Sequence, residues 1–132
     1  MQHLIIRDMR EDDLPEVERL MGQLNDVLKT DHDISFSTMK ETFTYMKAHR
    51  DNYVNLVAET EGQIAGCISA VQFKTFFHAR GTLLINELVV DRSCRGKKIG
   101  EMLVKRIYDK ALALQLDELE VGTASNNTPA IA

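Results

Sequence analysis

Residues 83–100, LLINELVVDRSCRGKKIG, constrain this chain more than any other stretch. An apolar, β-prone run carrying one carboxylate, Glu87, leads into a short basic turn, and the turn opens directly into an amphipathic helix. A strand that feeds a helix in this way asks for a layered arrangement, with the helix laid back over a sheet. The turn, Arg95-Gly96-Lys97-Lys98-Ile99-Gly100, gathers backbone N–H groups and the positive end of a helix dipole at one point, where a phosphate-bearing ligand is stabilised. Gly96 and Gly100 let a ligand approach the backbone with no Cβ in the way, and successive amides there can form an anion-binding nest. The competing reading is a glycine-softened helix start with solvated lysines. The segment is not a Walker P-loop, because no Ser or Thr follows Lys98 to hold Mg²⁺, and it does not match GxGxxG. A nucleotide-binding regulatory domain is disfavoured on the same ground.

The remainder of the chain reads as one domain spanning residues 1–132, long enough for a real core. Hydrophobic content of 44% and charged content of 27% are ordinary for a soluble globular protein. A formal net charge of −4 argues against general nucleic-acid binding. The local basic cluster of Arg92, Arg95, Lys97 and Lys98 suits one small polyanion better than a polymer. Cys67 lies in an apolar run and reads as a small buried hydrophobe. Cys94 precedes a helix N-terminus, where a thiol pKa can fall, but no nearby His offers itself as a base. No Cys/His spacing resembles a zinc site, so no metal is expected. With no visible signal peptide or transmembrane stretch, the expected setting is reducing and cytoplasmic, without a membrane partner.

Along the chain, residues 3–7 read as a strand. Asp12 or Asp13 can cap a helix that tolerates Pro15 in its first turn and carries Leu14, Val17, Leu20, Met21, Leu24, Val27 and Leu28 along one face. Ser37 is the expected cap of a weaker helix to about Arg50, with Met39, Phe43 and Met46. Residues 53–60 and 63–73 form a hairpin turning at Glu61-Gly62. A loop over 74–81 precedes a strand over 82–90. Helical spacing returns from Gly96 to about Leu116, with Ile99, Leu103, Ile107, Ala111 and Leu114 on one face. Residues 117–123 give a last short strand. The order β-α-α-β-β-β-α-β predicts an α+β layered fold with a mixed, mostly antiparallel sheet flanked by helices. Asn127-Thr128-Pro129 reads as the start of a further helix only about one turn long, so either the fold closes without it or C-terminal strands are missing from the sequence.

The succession strand, Glu, apolar run, Asp, basic Gly turn, helix, strand, Asn resembles the Gcn5-related N-acetyltransferase (GNAT) family over essentially the whole chain. The similarity is strongest in ELVVDRSCRGKKIGEMLV, which looks like that family's acetyl-CoA motif, Gln/Arg-x-x-Gly-x-Gly/Ala. Arg95 and Gly100 occupy its outer positions, and Lys98 stands where the central glycine usually is. A Cβ there crowds a pyrophosphate unless Lys98 keeps helical dihedrals with its side chain outward, and its charge can instead help hold phosphate. The resemblance implies acetyl-CoA as co-substrate. It implies that main chain at Leu88, Val89 and Val90 holds the pantetheine arm and that amides from Arg95 through Gly96, Lys97, Lys98, Ile99 and Gly100 to Glu101 bind the pyrophosphate. Asn127 matches the asparagine of the family's Asn-x-x-Ala segment, which contacts the pantetheine; an asparagine there is also a good helix cap. The family's thiolate-protonating tyrosine falls beyond Ala132, and none of Tyr45, Tyr53 or Tyr108 sits at the matching place.

Glu87 is the candidate base. An amine must lose a proton before it attacks a thioester, and a carboxylate in an apolar setting can accept it directly or through one water. The alternative is a surface glutamate at a sheet edge. Phe76, Phe77 and His78 can roof the acceptor site, or the aromatics pack under the hairpin or at a dimer contact. Asp31, His32 and Asp33 border the region where the family places its acceptor, or form a solvated loop. The reading that results is an acetyl-CoA-dependent N-acetyltransferase acting by direct attack in a ternary complex on a small-molecule or peptide amine, with a homodimer as a possible assembly. A CoA-binding sensing or interaction module without turnover is the alternative.

Overall fold

Two helices with apolar faces and a sheet that is apolar on both sides leave little choice of architecture, because each face must be covered. The computed structural model describes residues 3–32 and 35–122. Its elements run β1 (Leu4–Asp8), a 3-10 turn (Glu11–Asp13), α1 (Leu14–Leu28), α2 (Phe36–Ala48), β2 (Tyr53–Thr60), β3 (Gln63–Phe73), β4 (Thr82–Val90), a second 3-10 turn (Arg92–Cys94), α3 (Ile99–Ala113) and β5 (Glu118–Val121). The strands form one five-stranded sheet in the order β1-β2-β3-β4-β5. All neighbours are antiparallel except β4 and β5, which are parallel and joined by the α3 crossover. The α+β layered fold, the element order and the strand at 82–90 agree with the sequence reading.

On one face of the sheet, Ile99, Leu103, Ile107 and Ala111 of α3 bury against Leu56, Ile68, Leu83 and Ile85. On the other, Val17, Leu20 and Leu24 of α1 meet Val57, Cys67 and Val89. Gly66 lets α3 seat closely: a Cβ there would lie 3.0 Å from the Val89 carbonyl oxygen and 3.4 Å from both Ile99 Cγ2 and Leu103 Cδ1. Cys67 is fully buried, as expected, and burial pushes its thiol up to about 12. The β2–β3 hairpin turns at Glu61-Gly62, both with positive φ (53° and 77°) as a primed two-residue turn needs.

Several local expectations are corrected. Ser35, not Ser37, caps α2, its hydroxyl accepting from the Thr38 amide. Asp13 stands at the α1 N-cap position, but its carboxylate does not cap the helix amides. It is held instead by the Arg7 fork, with Nη1 and Nη2 donating at 2.8 and 2.9 Å, and by the Arg10 amide at 2.7 Å. Arg7 Nε also donates to Glu59 at 2.8 Å, so one guanidinium ties β1, the α1 entry and β2 together. α3 begins at Ile99 rather than Gly96 and ends at Ala113, leaving Leu114 exposed. The periodicity overran because Lys98 and Gln115, flanking the helix, both adopt left-handed backbone (φ 63° and 58°). No helix among the described residues is long and apolar enough to cross a membrane.

Replacing Gly66 by Val should lower stability by about 1–3 kcal/mol through overpacking beneath α3. A reduced urea midpoint at unchanged m-value checks this.

Candidate active site

The decisive local feature is a register shift in β4. Ser69 of β3 pairs with Glu87, but the next residue, Ala70, pairs with Ile85, so Asn86 is an extra residue on β4. Strict alternation would send Leu83, Ile85 and Glu87 to one face. The bulge breaks it. Leu83, Ile85 and Leu88 belong to the α3 core, while Glu87 turns to the α1 side of the sheet.

There Glu87 lines a cavity of about 520 Å³ between α1, α2 and the centre of the sheet. Met21, Leu24 and Leu28 of α1 form one wall, and Met39, Phe43 and Met46 of α2 another. The floor is a polar row across three strands, because Asn55 pairs with Ser69 and Ser69 with Glu87. Ser69 Oγ donates to Asn55 Oδ1 at 2.5 Å, and Asn55 Nδ2 approaches Met46 Sδ at 3.2 Å. Burial raises the Glu87 carboxyl above the ordinary range, and the nearby His32 draws it partly back. Among the described residues, none hydrogen-bonds or ion-pairs the Glu87 carboxylate.

A second hollow, of about 260 Å³, lies at the start of α3. Leu88, Val89 and Val90 border it on the strand side, and Arg95, Gly96, Lys98, Ile99, Gly100 and Glu101 on the turn side. Lys97 faces away, into an adjoining surface with Thr60, Glu61 and Gln63. The first intrahelical bond of α3 runs from the Met102 amide to the Lys98 carbonyl, at 3.1 Å. The amides of Ile99, Gly100 and Glu101 precede it and have no partner within the helix. Gly96 has φ 85°, and a Cβ there would meet nothing within 4 Å, so the space above it is open. Of the two alternatives for Lys98, helical dihedrals with an outward side chain are not what the structure shows. At φ 63° and ψ 21° it takes the left-handed conformation that glycine adopts freely and lysine does not. Leu24 and Leu88 border both spaces, so the two adjoin. On its other edge, the pairing of β4 with β5 runs from Thr82 to Ile85 among the described residues.

The turn between β4 and α3 is clamped from α1. Asp91 accepts from Arg19 Nη1 and Gln23 Nε2, both at 2.7 Å, and from the Ser93 hydroxyl. Gln23 Oε1 in turn accepts from the Arg92 amide at 3.0 Å. The Ser93 bond, with Gln23 and Arg19 behind it, holds the Asp91 carboxyl well below the usual carboxylate range.

The expected residues thus fall into two adjoining groups, with Glu87 in one, Val89, Val90, Arg95, Gly96, Lys98, Ile99, Gly100 and Glu101 around the other, Leu88 bordering both and Lys97 outside both. Asn127 and Asp33 lie outside the described residues. His32 lines the Glu87 cavity, whereas exposed Asp31 does not. Among the described residues, none of the 74–81 loop lines either hollow: Phe76 and Phe77 are fully exposed rather than packed under the hairpin, and His78 sits 3.5 Å from Glu118 at the start of β5. Sequence reading missed Asn55, Ser69, Arg19 and Gln23. The available signals were polar residues interrupting apolar strands, and an i, i+4 polar pair beside the apolar stripe of α1.

The sequence model of the acetyltransferase (GNAT) family matches residues 9–132. The chain belongs to this family. Membership makes it an acetyltransferase by class. Solved structures of GNAT-type fold agree. Glucosamine-6-phosphate N-acetyltransferase from Arabidopsis thaliana superposes with a TM-score of 0.80 at 24% identity, covering 96% of this chain and 86% of that one. An acetyltransferase from Trypanosoma brucei gives 0.76 at 22%, covering 96% and 87%. Ribosomal-protein-alanine N-acetyltransferase from Brucella melitensis biovar Abortus 2308 gives 0.74 at 16%, covering 97% and 85%. No protein of curated function matches the sequence. Among the described residues of this GNAT chain, no group of three or more His, Cys, Asp and Glu side chains could hold a metal ion.

Two outcomes follow from the turn. Lys98→Gly should raise stability by up to about 1 kcal/mol, because relief of left-handed strain outweighs the added unfolded-state entropy; thermal melting measures it. Asp91, with its folded pKa depressed, adds stability above its unfolded pKa of about 3.9, and that stability is lost as pH falls through the lower folded value. The stability difference between pH 7 and pH 3 should therefore shrink in Asp91→Asn, read from urea unfolding at the two pH values.

Proposed function

We propose that the chain transfers the acetyl group of acetyl-CoA to a primary amine by direct attack in a ternary complex, with Glu87 as general base. The observation that carries this is a carboxylate raised by burial and free of hydrogen-bond partners among the described residues, at the floor of a cavity that adjoins an amide-lined hollow.

The residues present fit acetyl-CoA. First-turn amides with no partner within the helix, open space above Gly96 and the positive end of α3 suit a pyrophosphate. The arm would run along Leu88, Val89 and Val90, and the diphosphate would sit against Arg95 through Glu101 by main chain, with Lys98 adding charge. Asn127 is proposed for the arm as well. When bound, acetyl-CoA supplies an activated thioester acyl group. That Leu88 borders both spaces supports assigning a backbone N–H near it the role of polarising the thioester carbonyl. Glu87 takes a proton from the acceptor ammonium, and its raised pKa brings it nearer to the basicity the task requires. Asp91, Arg19 and Gln23 act at a distance, holding the turn in place.

Acetyl-CoA should raise the melting temperature and an amine panel should release free thiol. In Glu87→Gln, kcat should fall by about 10²–10⁴-fold. Wild-type kcat/KM should rise with pH along an acidic limb above the ordinary Glu range, and the limb should vanish in the variant. A carboxyl with a raised folded pKa destabilises the fold once pH exceeds that pKa, so Glu87→Gln should melt higher than wild type at pH 7. Thermal stabilisation by acetyl-CoA without thiol release for any amine would select the sensing module instead.

A further inference from the structure

The walls of the Glu87 cavity carry information about the acceptor. Its volume, about 520 Å³, is that of a small-molecule site. Four methionines (Met9, Met21, Met39 and Met46) line it together with Phe43 and Leu28. Thioether chains present an apolar but deformable surface that adapts to bodies of differing shape. The charge inventory is narrow. Among the described residues, no Lys, Arg or Asp lines the cavity, Glu87 is its carboxylate, and His32 stands at its border.

From this inventory we infer that the acceptor is a monocationic primary amine on an apolar, uncharged body. The inference rests on the transfer reading above and names its substrate class. One ammonium finds one carboxylate, over a floor that also offers Ser69 and Asn55. Among the described residues, a second ammonium would meet no second carboxylate at the methionine walls, and a phosphate or carboxylate would find no lining Lys or Arg to offset its burial. Apolar surface, by contrast, gains where it leaves water for Met21, Leu24 and Leu28 of α1 or Met39, Phe43 and Met46 of α2, which outweigh the lining Asn25, Thr38 and Thr42. The net reaction forms one C–N bond and breaks one C–S bond. One ammonium proton leaves through Glu87 to solvent, and a second ends on the CoA thiol.

The test is a thiol-release assay at fixed acetyl-CoA with straight-chain amines from ethylamine to octylamine, alongside spermidine and glucosamine 6-phosphate. kcat/KM should rise about three- to fourfold per added methylene until the cavity is filled. Spermidine and glucosamine 6-phosphate should fall well below hexylamine. In Met39→Glu, which adds a second carboxylate to the α2 wall, the ratio of 1,6-diaminohexane to hexylamine turnover should rise by about tenfold. That ratio is insensitive to partial loss of folded protein, and the wild-type series decides if the variant does not fold. A flat chain-length series, or better turnover of spermidine or glucosamine 6-phosphate, overturns the inference while leaving acetyl transfer standing. Absence of thiol release with every amine overturns the transfer reading and this inference with it.

Discussion

The extra residue Asn86 in β4 is the constraint on which the candidate site depends. A strand packed on both faces has no neutral place for a carboxylate: one side faces α3 and a fully apolar core, the other faces α1 and the cavity. Period-two geometry would align Glu87 with Leu83 and Ile85, against α3, where an ionised group would lack both water and a partner. One inserted residue moves it across the sheet. The same shift lets Leu88 follow Ile85 into the α3 core, so the strand keeps its packing on both sides of the bulge.

The two halves of the site are tied to one frame by α1. Its apolar stripe covers the sheet, its inner face walls the Glu87 cavity, and its polar residues Arg19 and Gln23 grip Asp91 at the mouth of the basic turn. A displacement of α1 would therefore be felt in the cavity and in the turn together. The turn itself holds one strained residue. Lys98 occupies a left-handed conformation with no side-chain capping bond to the helix, and the same β4–α3 connection is anchored at its start by the Asp91 clamp.

Much of the fold was legible in the residues. The hairpin at Glu61-Gly62, the strand over 82–90 and the helical faces of α1 and α3 follow from periodicities of 2 and 3.6 and from turn chemistry that acts within a few residues. The errors lie at helix ends. Ser35 and Ser37 are equally good caps in sequence, and it is the Ser35 hydroxyl that accepts from the Thr38 amide. Gly96 and Lys98 extend a helical pattern that left-handed backbone cuts short. Asp13, a good cap by type, is taken by Arg7 from a neighbouring strand, which no local rule registers.

Read by itself, the sequence determined the layered α+β class, the basic turn leading into α3 and Glu87 as the chemically distinctive acid, because these rest on residue type and short-range spacing. Only the tertiary structure decided which face Glu87 takes, that Asn55 and Ser69 join it in one row, that His32 reaches the cavity while Phe76, Phe77 and His78 do not, and that methionines from α1 and α2 form its walls. Those outcomes depend on strand register and on helices packed across the sheet, and both are set by contacts between residues far apart in the chain.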